Sequence, residues 1–167
     1  MSTNPTHLEQ QNQTEQQNKA PVSSIRTHGG FTLWLDGLRC KHPDGAFIFI
    51  VEGVLMYFYE KQVRSFLHHV ASRFGGGEIW FDVCGTMMSR HGVKPDSLRK
   101  HEAQIRSGLS NGHLVEQWEP ALHLLDQANY MKFFRPRWGF FFGQILGRIP
   151  WLCYKFSSLL GYKITSK

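Results

Sequence analysis

The sequence predicts an α/β fold in which strands alternate with helices around a parallel sheet. The first observation is an unbroken run of six apolar residues at positions 46–51, which is typical of a central strand buried on both faces. The second is an apolar face at the helical period over residues 60–74. The third is a further apolar run at residues 78–83. A strand, a helix and a second strand in this order predict a parallel pair with a right-handed crossover.

Outside this unit the elements are less regular. The turn residues at 41–45 precede the first strand, and the three glycines at 75–77 end the helix. We expect the other elements in this order: a short helix at 31–39, a short helix at 85–91, a polar and basic connection at 93–109, a helix from a Ser110 N-cap to Trp118, a strand at 121–130, two short helices within 135–156, and a last strand at 161–165.

The chain divides into a leader and one domain. Residues 1–29 hold five glutamines and few side chains that could be buried, so we predict a disordered Gln-rich leader. Residues 30–167 are predicted to form the domain, because the 167-residue chain is 41% hydrophobic and long enough for one core.

The cysteines and histidines argue against metal and redox chemistry. Cys40, Cys84 and Cys153 fit no metal-ligand spacing, and we expect reduced thiols in or near the core. His68 and His69 are neighbours on the predicted helix and point apart, so we predict no metal site. Since no signal-peptide core or run of about 18 apolar residues is present, we expect a cytoplasmic protein.

An acidic residue lies at the end of each predicted strand of the parallel pair. Glu52 directly follows the first apolar run, and Asp82 lies one residue before the end of the second. In parallel sheets ligands bind outside the carboxyl ends of the strands, so Glu52 is a candidate ligand contact. A structural hydrogen bond to a loop amide is the alternative for Glu52, and Asp82 could orient the following turn. Gly53 would allow a positive φ or a close backbone approach to a ligand.

Two other kinds of site are excluded. The glycines at 75–77 end a helix and open a strand, whereas a phosphate-binding loop follows a strand and opens a helix. There is no G-x-S-x-G motif, so a serine nucleophile is not supported.

The net charge of +6 comes from the end of the chain. Residues 127–167 hold seven Lys or Arg and no Asp or Glu, interspersed with aromatic residues. This composition suits an interfacial membrane helix or a stacking surface, although packing of the aromatics on the sheet is the alternative. We predict no nucleic-acid partner.

Residues 50–58, IVEGVLMYF, followed by a helix and by RFGGGEIWFDV, resemble the leucine carboxyl methyltransferase-like family, in particular its bacterial members of the tetracenomycin polyketide O-methyltransferase type. These show AEG-L-L-MY after a strand, then a helix with E-x-V-R-x-L, then RFPGGEL-x-FD. The resemblance implies the C-terminal half of a Rossmann-like class I methyltransferase sheet, S-adenosylmethionine as cofactor, and methyl transfer to a carboxylate or hydroxyl of a small-molecule acceptor.

The resemblance also implies roles for individual residues. Glu52 would contact S-adenosylmethionine. Residues 105–108 keep two of the four residues of the family's F-R-W-G stretch, which makes Arg106 a candidate in a substrate loop. The other residues implied for the cofactor and the loop between cofactor and acceptor are Gly53, Leu55, Met56, Tyr57 and Asp82.

The chain departs from the family upstream of Trp34. The family's first strand and glycine-containing cofactor loop should lie there, but residues 1–30 are of low complexity. The resemblance therefore covers a truncated methyltransferase domain, for which we expect an exposed sheet edge, and either self-association or a partner chain that supplies the first half. We expect methyl transfer only with that partner. The alternative is a non-catalytic module that binds an anionic membrane or a partner through the basic aromatic tract.

Overall fold

The computed structural model describes residues 28–90, 104–130 and 148–166. These fall into two compact units, residues 28–43 and residues 44–166. Most of the predicted leader lies outside the described residues, and its disorder stays a prediction.

The first unit is helix α1, His28–Lys41, which confirms the predicted first helix and extends it at both ends. The Phe31 and Trp34 rings stack one turn apart with centroids 6.1 Å from each other. Arg39 and Lys41 lie in the last turn, where positive charge is favourable to the helix dipole. Cys40 is exposed on this helix, so the expectation of a core thiol was wrong at that position.

In its described residues, the second unit is a mixed α/β domain with a four-stranded sheet. Its strands and helices, in chain order, are β1 Ile48–Val51, α2 Glu60–Ala71, β2 Glu78–Cys84, α3 Thr86–Arg90, α4 His113–Trp118, β3 Leu122–Ala128, α5 Pro150–Cys153 and β4 Ser157–Ile164. A short 3₁₀ turn, Leu55–Tyr57, lies between β1 and α2. None of the helices in the described ranges is long and apolar enough to cross a membrane.

The strand order is β1-β2-β4-β3. Strand β1 pairs with β2 in parallel, as the strand-helix-strand pattern predicted. Strand β4 runs antiparallel to both β2 and β3, so the sheet is mixed rather than wholly parallel. Because two antiparallel pairings restore the original direction, β1, β2 and β3 all have their carboxyl ends at the same edge of the sheet.

Strand β1 is at the edge of the described sheet, and the prediction of a central strand buried on both faces was wrong. Ile48 and Ile50 have 67% and 77% of their surface exposed, whereas Phe49 and Val51 on the opposite face are half-buried. A continuous apolar run does not reveal how many neighbours its strand has. The exposed sheet edge that the resemblance implied is present among the described residues.

Helix α2 covers one face of the sheet with the apolar side chains that its periodicity predicts. Val63, Leu67, Val70 and Ala71 are buried, and burial of each larger side chain contributes about 1.5–3 kcal/mol. Beyond the helix, the Phe74 ring makes edge contacts with the Phe47 and Phe49 rings, each at a centroid distance of 4.7 Å. The helix ends at Ala71, before the three glycines that were predicted to end it, and Gly76, at φ 87°, turns the chain into β2.

The predicted N-cap at Ser110 was wrong. Helix α4 begins at His113, whose N–H is accepted by Asn111 Oδ1 at 3.1 Å. The Ser110 hydroxyl instead accepts a hydrogen bond from the Thr86 N–H at 3.0 Å, and thus joins two loops at the carboxyl edge. A serine before an apolar segment signals a cap only when no tertiary donor competes for its oxygen.

The other predicted elements agree with the structure to different extents. Strands β2 and β3 lie where predicted, and α3 confirms the short helix at 85–91. Strand β4 begins four residues before the predicted 161–165, because its serines carry no strand signal. Most of the predicted connection at 93–109 lies outside the described residues, and so does part of the predicted helical region at 135–156. Helix α5 lies in the described part of that helical region.

Gly161 on β4 faces Trp80 on β2 in direct register. A Cβ added at Gly161 would lie 2.4–2.6 Å from three carbon atoms of the Trp80 ring, well inside van der Waals contact. The bare backbone of Gly161 therefore provides the space for this indole, which is half-buried.

We expect Gly161→Ala to lower the free energy of unfolding by about 1–3 kcal/mol, because overpacking must displace either the Trp80 ring or the β2–β4 ladder. Urea unfolding of the purified chain measures this loss. In a Trp80→Ala background the same glycine substitution should cost less, and an equal cost in both backgrounds would contradict the steric explanation.

Candidate functional site

The ends of three parallel strands bring the candidate residues together at one edge of the sheet. Glu52 and Gly53 follow β1, and Asp82 lies near the end of β2. The register pairs Val51 with Phe81, so the next positions, Glu52 and Asp82, lie level with each other. Tyr130 follows β3 on the same edge. The sequence prediction that the two acidic residues share the crevice edge is consistent with this arrangement.

A hydrogen bond joins the two predicted motifs directly. The Gly53 N–H donates to Asp82 Oδ1 at 2.7 Å across 29 residues of chain. Asp82 has only 8% of its surface exposed, whereas Glu52 is exposed. Gly53 has φ 67°, a left-handed conformation in which glycine is favoured. The Asp82 carboxylate therefore binds the backbone of the turn after β1, and Glu52 is the carboxylate that is exposed to a ligand.

The electrostatics of this edge follow from burial and from neighbouring negative charge. Burial raises the pKa of the Asp82 carboxyl, the hydrogen bonds from Gly53 and from its own backbone amide oppose that rise, and the Glu52 carboxylate adds to it. Burial also raises the pKa of the Tyr130 phenol, and the charges of Asp82 and Glu52 add to that effect. The edge is thus an acidic environment that favours a cationic ligand.

The 3₁₀ turn Leu55–Tyr57 lies against the end of β2. Leu55 is buried with 3% of its surface exposed, while Met56 and Tyr57 are half-buried. The Cys84 thiol contacts Met56 Sδ at 3.7 Å. Burial raises the pKa of Cys84 to about 11, so the thiol is neutral at physiological pH and is no nucleophile.

Arg106 belongs to a loop that holds this turn through its backbone. The Arg106 N–H donates to the Met56 carbonyl at 2.8 Å, and the Ser107 hydroxyl donates to the Leu55 carbonyl at 3.0 Å. The Arg106 guanidinium lies 4.9 Å from the centre of the Tyr59 ring in a cation–π contact. The predicted substrate-loop residue therefore lies beside the predicted 55–57 loop.

A small pocket lies under this loop, between α2 and the sheet. Its volume is about 20 Å³, which suits one water molecule and is far too small for a nucleoside cofactor. The residues lining it include Leu55, Val63, Phe81 and Ser107. A larger ligand does not fit in this pocket.

Three residues of the edge escaped the sequence prediction. Tyr130 follows a strand that was predicted, but nothing in its neighbours marks it. Ser107 lies in a connection without periodicity. Gln127 donates to the Ser110 carbonyl at 3.0 Å and accepts from the Gly112 N–H at 3.0 Å, which fixes the loop before α4. A glutamine within a strand carries no sequence signal for such a role.

Two further predictions concern metals and the basic aromatic tract. In the part of the chain that the structure describes, no three His, Cys, Asp or Glu side chains form a group that could hold a metal ion. Much of the tract lies outside the described residues. Within its described part, Trp151 is 61% exposed and the Lys155 ammonium lies 4.7 Å from the centre of its ring.

Comparisons with protein-family models, with curated proteins and with solved structures found no match to this chain. The interpretation of the site therefore depends on its residues and on their geometry.

We expect Gly53→Val to destabilise the domain by about 1–2 kcal/mol, because a β-branched residue is strained at φ 67°. Gly53→Asn should lower the stability by less than Gly53→Val does, since asparagine tolerates this conformation. An added Cβ would meet no atom within 4 Å, so a clash does not explain the loss. Equal losses in urea unfolding for the two variants would contradict the backbone explanation.

Proposed function

We propose that residues 30–167 form the C-terminal half of an S-adenosylmethionine-dependent O-methyltransferase that acts on a carboxylate or hydroxyl of a small molecule. The observation that carries the proposal is the 2.7 Å hydrogen bond between the Gly53 N–H and the Asp82 carboxylate. It joins the EGVLMY and FD motifs of the resemblance at the edge of the sheet where parallel folds bind ligands.

The strand order supports the same proposal. The class I methyltransferase sheet that the resemblance implies is parallel except for its last strand, which runs antiparallel and lies between the two strands that precede it in sequence. Here β4 runs antiparallel and lies between β2 and β3. Strands β1, β2 and β3 would then be the later parallel strands of such a sheet. Fold alone does not fix activity, so the site residues carry the chemical argument.

The residues at the edge fit the proposed cofactor. Glu52 offers an exposed carboxylate that can accept hydrogen bonds from hydroxyl or amino groups. The space beside Gly53 is open, since an added Cβ would contact nothing within 4 Å. The negative charges of Glu52 and Asp82 suit a positively charged sulfonium. We therefore assign cofactor contact to Glu52 and Gly53.

When bound, S-adenosylmethionine supplies an electrophilic methyl group that an acceptor oxygen takes up by in-line displacement. This chain has to hold the acceptor in line and exclude water, for which no covalent enzyme intermediate is needed. The hydrogen bond from the Arg106 N–H to the Met56 carbonyl fixes the 55–57 turn, which follows the proposed cofactor residues Glu52 and Gly53. Leu55, Met56 and Tyr57 would line the acceptor side of the cleft.

The exposed edge of β1 is consistent with a partner that completes the sheet. Ile48 and Ile50 present apolar surface there, and β1 pairs only with β2 among the described strands. A parallel strand added at this edge would lie where the first half of a methyltransferase sheet begins. We propose that a different chain supplies that half and the glycine loop with it; the alternative is self-association, in which this edge pairs with a second copy of the chain.

Titration of the isotope-labelled chain with S-adenosylmethionine, followed by amide chemical shifts, tests the function and remains informative for weak binding. We expect saturable shifts at Glu52, Gly53 and residues 55–57. Glu52→Gln should weaken binding about tenfold, equivalent to about 1.4 kcal/mol, because a charged acceptor makes the stronger hydrogen bond.

The matched control is Glu78→Gln, a neutralised glutamate at the amino end of β2, which should bind like the wild type. The proposal would be overturned if the amides of Glu52, Gly53 and residues 55–57 did not respond to S-adenosylmethionine. Equal weakening by the Glu52 and Glu78 substitutions would indicate nonspecific attraction of the cation.

A second candidate function is binding to an anionic membrane through the basic aromatic tract. The pairing of the exposed Trp151 with Lys155 favours it, since indole and ammonium groups are suited to the headgroup region.

Sedimentation with phosphatidylserine-containing vesicles distinguishes this candidate. It predicts binding that falls as salt is raised, is absent with neutral vesicles and is weakened by Trp151→Ala. Equal recovery with both vesicle types would eliminate it.

A further inference from the structure

Asp82 is placed to act on the site without contacting a ligand itself. Asp82 has 8% of its surface exposed, and its Oδ1 accepts a hydrogen bond from the Gly53 N–H at 2.7 Å. A second backbone hydrogen bond comes from its own amide. The sequence suggested a loop residue of the cofactor or substrate site, but the geometry directs its carboxylate at the backbone of the turn after β1.

This hydrogen bond orients Glu52. The Gly53 N–H belongs to the peptide group that joins Glu52 to Gly53, and a peptide group is planar and trans. Holding the N–H towards Asp82 therefore points the Glu52 carbonyl away from it and sets the ψ angle of Glu52. The positive φ of Gly53 directs the following chain into the 55–57 turn. One contact thus fixes the direction of both the acidic residue and the loop.

The strength of this contact depends on the charge of Asp82. An ionised carboxylate accepts a shorter and stronger hydrogen bond than a neutral acid does. The ionisable groups that face Asp82 are Glu52 at the end of β1, Tyr130 after β3 and Cys84 on its own strand. Burial, aided by Glu52, raises the pKa of Asp82 above the ordinary value of about 3.9, which makes the ionised form costly in the folded chain.

We propose that Asp82 is a positioning residue whose ionised carboxylate orients the Glu52–Gly53 peptide for the ligand, and that protonation of Asp82 releases this orientation. The identity of the ligand rests on the proposed function, whereas the orientation of the peptide does not. The site would then weaken at acid pH through a group that the ligand never touches.

Amide chemical shifts of the full chain, measured from neutral to acid pH without ligand, test the positioning. The Gly53 amide should titrate in the wild type with a midpoint above the ordinary aspartate value. Asp82→Asn keeps an acceptor oxygen but cannot ionise, so it should abolish the titration. Glu52→Gln is the control and should leave the Gly53 titration in place. A flat Gly53 profile in the wild type, or one lost in Glu52→Gln and kept in Asp82→Asn, would overturn the proposal.

The pH dependence of the free energy of unfolding gives an independent measurement of the protonation of Asp82. Because the folded-state pKa of Asp82 is raised, its contribution to stability is present below the unfolded pKa and is lost as pH rises through the folded pKa. The urea midpoint of Asp82→Asn should therefore rise relative to the wild type as the pH goes from about 4 towards neutral. A difference that stays constant with pH would contradict the linkage.

S-adenosylmethionine binding completes the test and separates the two proposals. The wild type should lose affinity as Asp82 becomes protonated, whereas Asp82→Asn should bind about fivefold more weakly at neutral pH and without this pH dependence. Asp82→Ala should bind more weakly still, so Asn is a partial rescue. If Asp82→Asn binds as the wild type does, the carboxylate does not position the site. If the wild type does not bind at all, the methyltransferase proposal fails, and the Gly53 titration alone decides the positioning.

Discussion

Strand β4 is the constraint on which the second unit depends. It pairs with β2 from Glu78 to Cys84 on one side and with β3 on the other, so it is the bridge between the two parts of the sheet. Tyr162 on this strand is fully buried, stacks on the Phe81 ring with a centroid distance of 5.5 Å, and donates a hydrogen bond from its hydroxyl to the Gly112 carbonyl at 2.8 Å. Without these two ladders the carboxyl end of β3 would have no fixed position relative to Glu52 and Asp82.

The sequence predicted elements whose signal is local. Helix α2 and strand β2 have the periodicity and the composition of their structures, and the strand-helix-strand order predicted their parallel pairing correctly. Strand β1 shows the limit of such patterns, because six apolar residues look the same in a central strand and at an edge. Strand β4 shows another limit, since Ser157 and Ser158 gain their place from the ladder with β2 rather than from propensity.

In the site, too, the features with a local sequence signal were predicted and those that depend on distant strands were not. Glu52, Gly53 and Asp82 were predicted from their positions at strand ends, and the parallel register makes two of them level. The hydrogen bond between Gly53 and Asp82 was not predicted, because these residues are 29 positions apart and the bond depends on a left-handed φ and on the register of two strands. Tyr130 and Gln127 could not be predicted, since their roles come from the position of β3 beyond an intervening strand.

The order of the strands has a consequence for the nascent chain. Strands β1 and β2 emerge from the ribosome as a pair, and β3 follows, but the strand that joins them is made later still. Until then β2 exposes one edge, β3 has no backbone partner among the described strands, and closure requires contacts far apart in sequence, which form slowly. Until β4 is made, these unpaired strand edges make the nascent chain prone to aggregation.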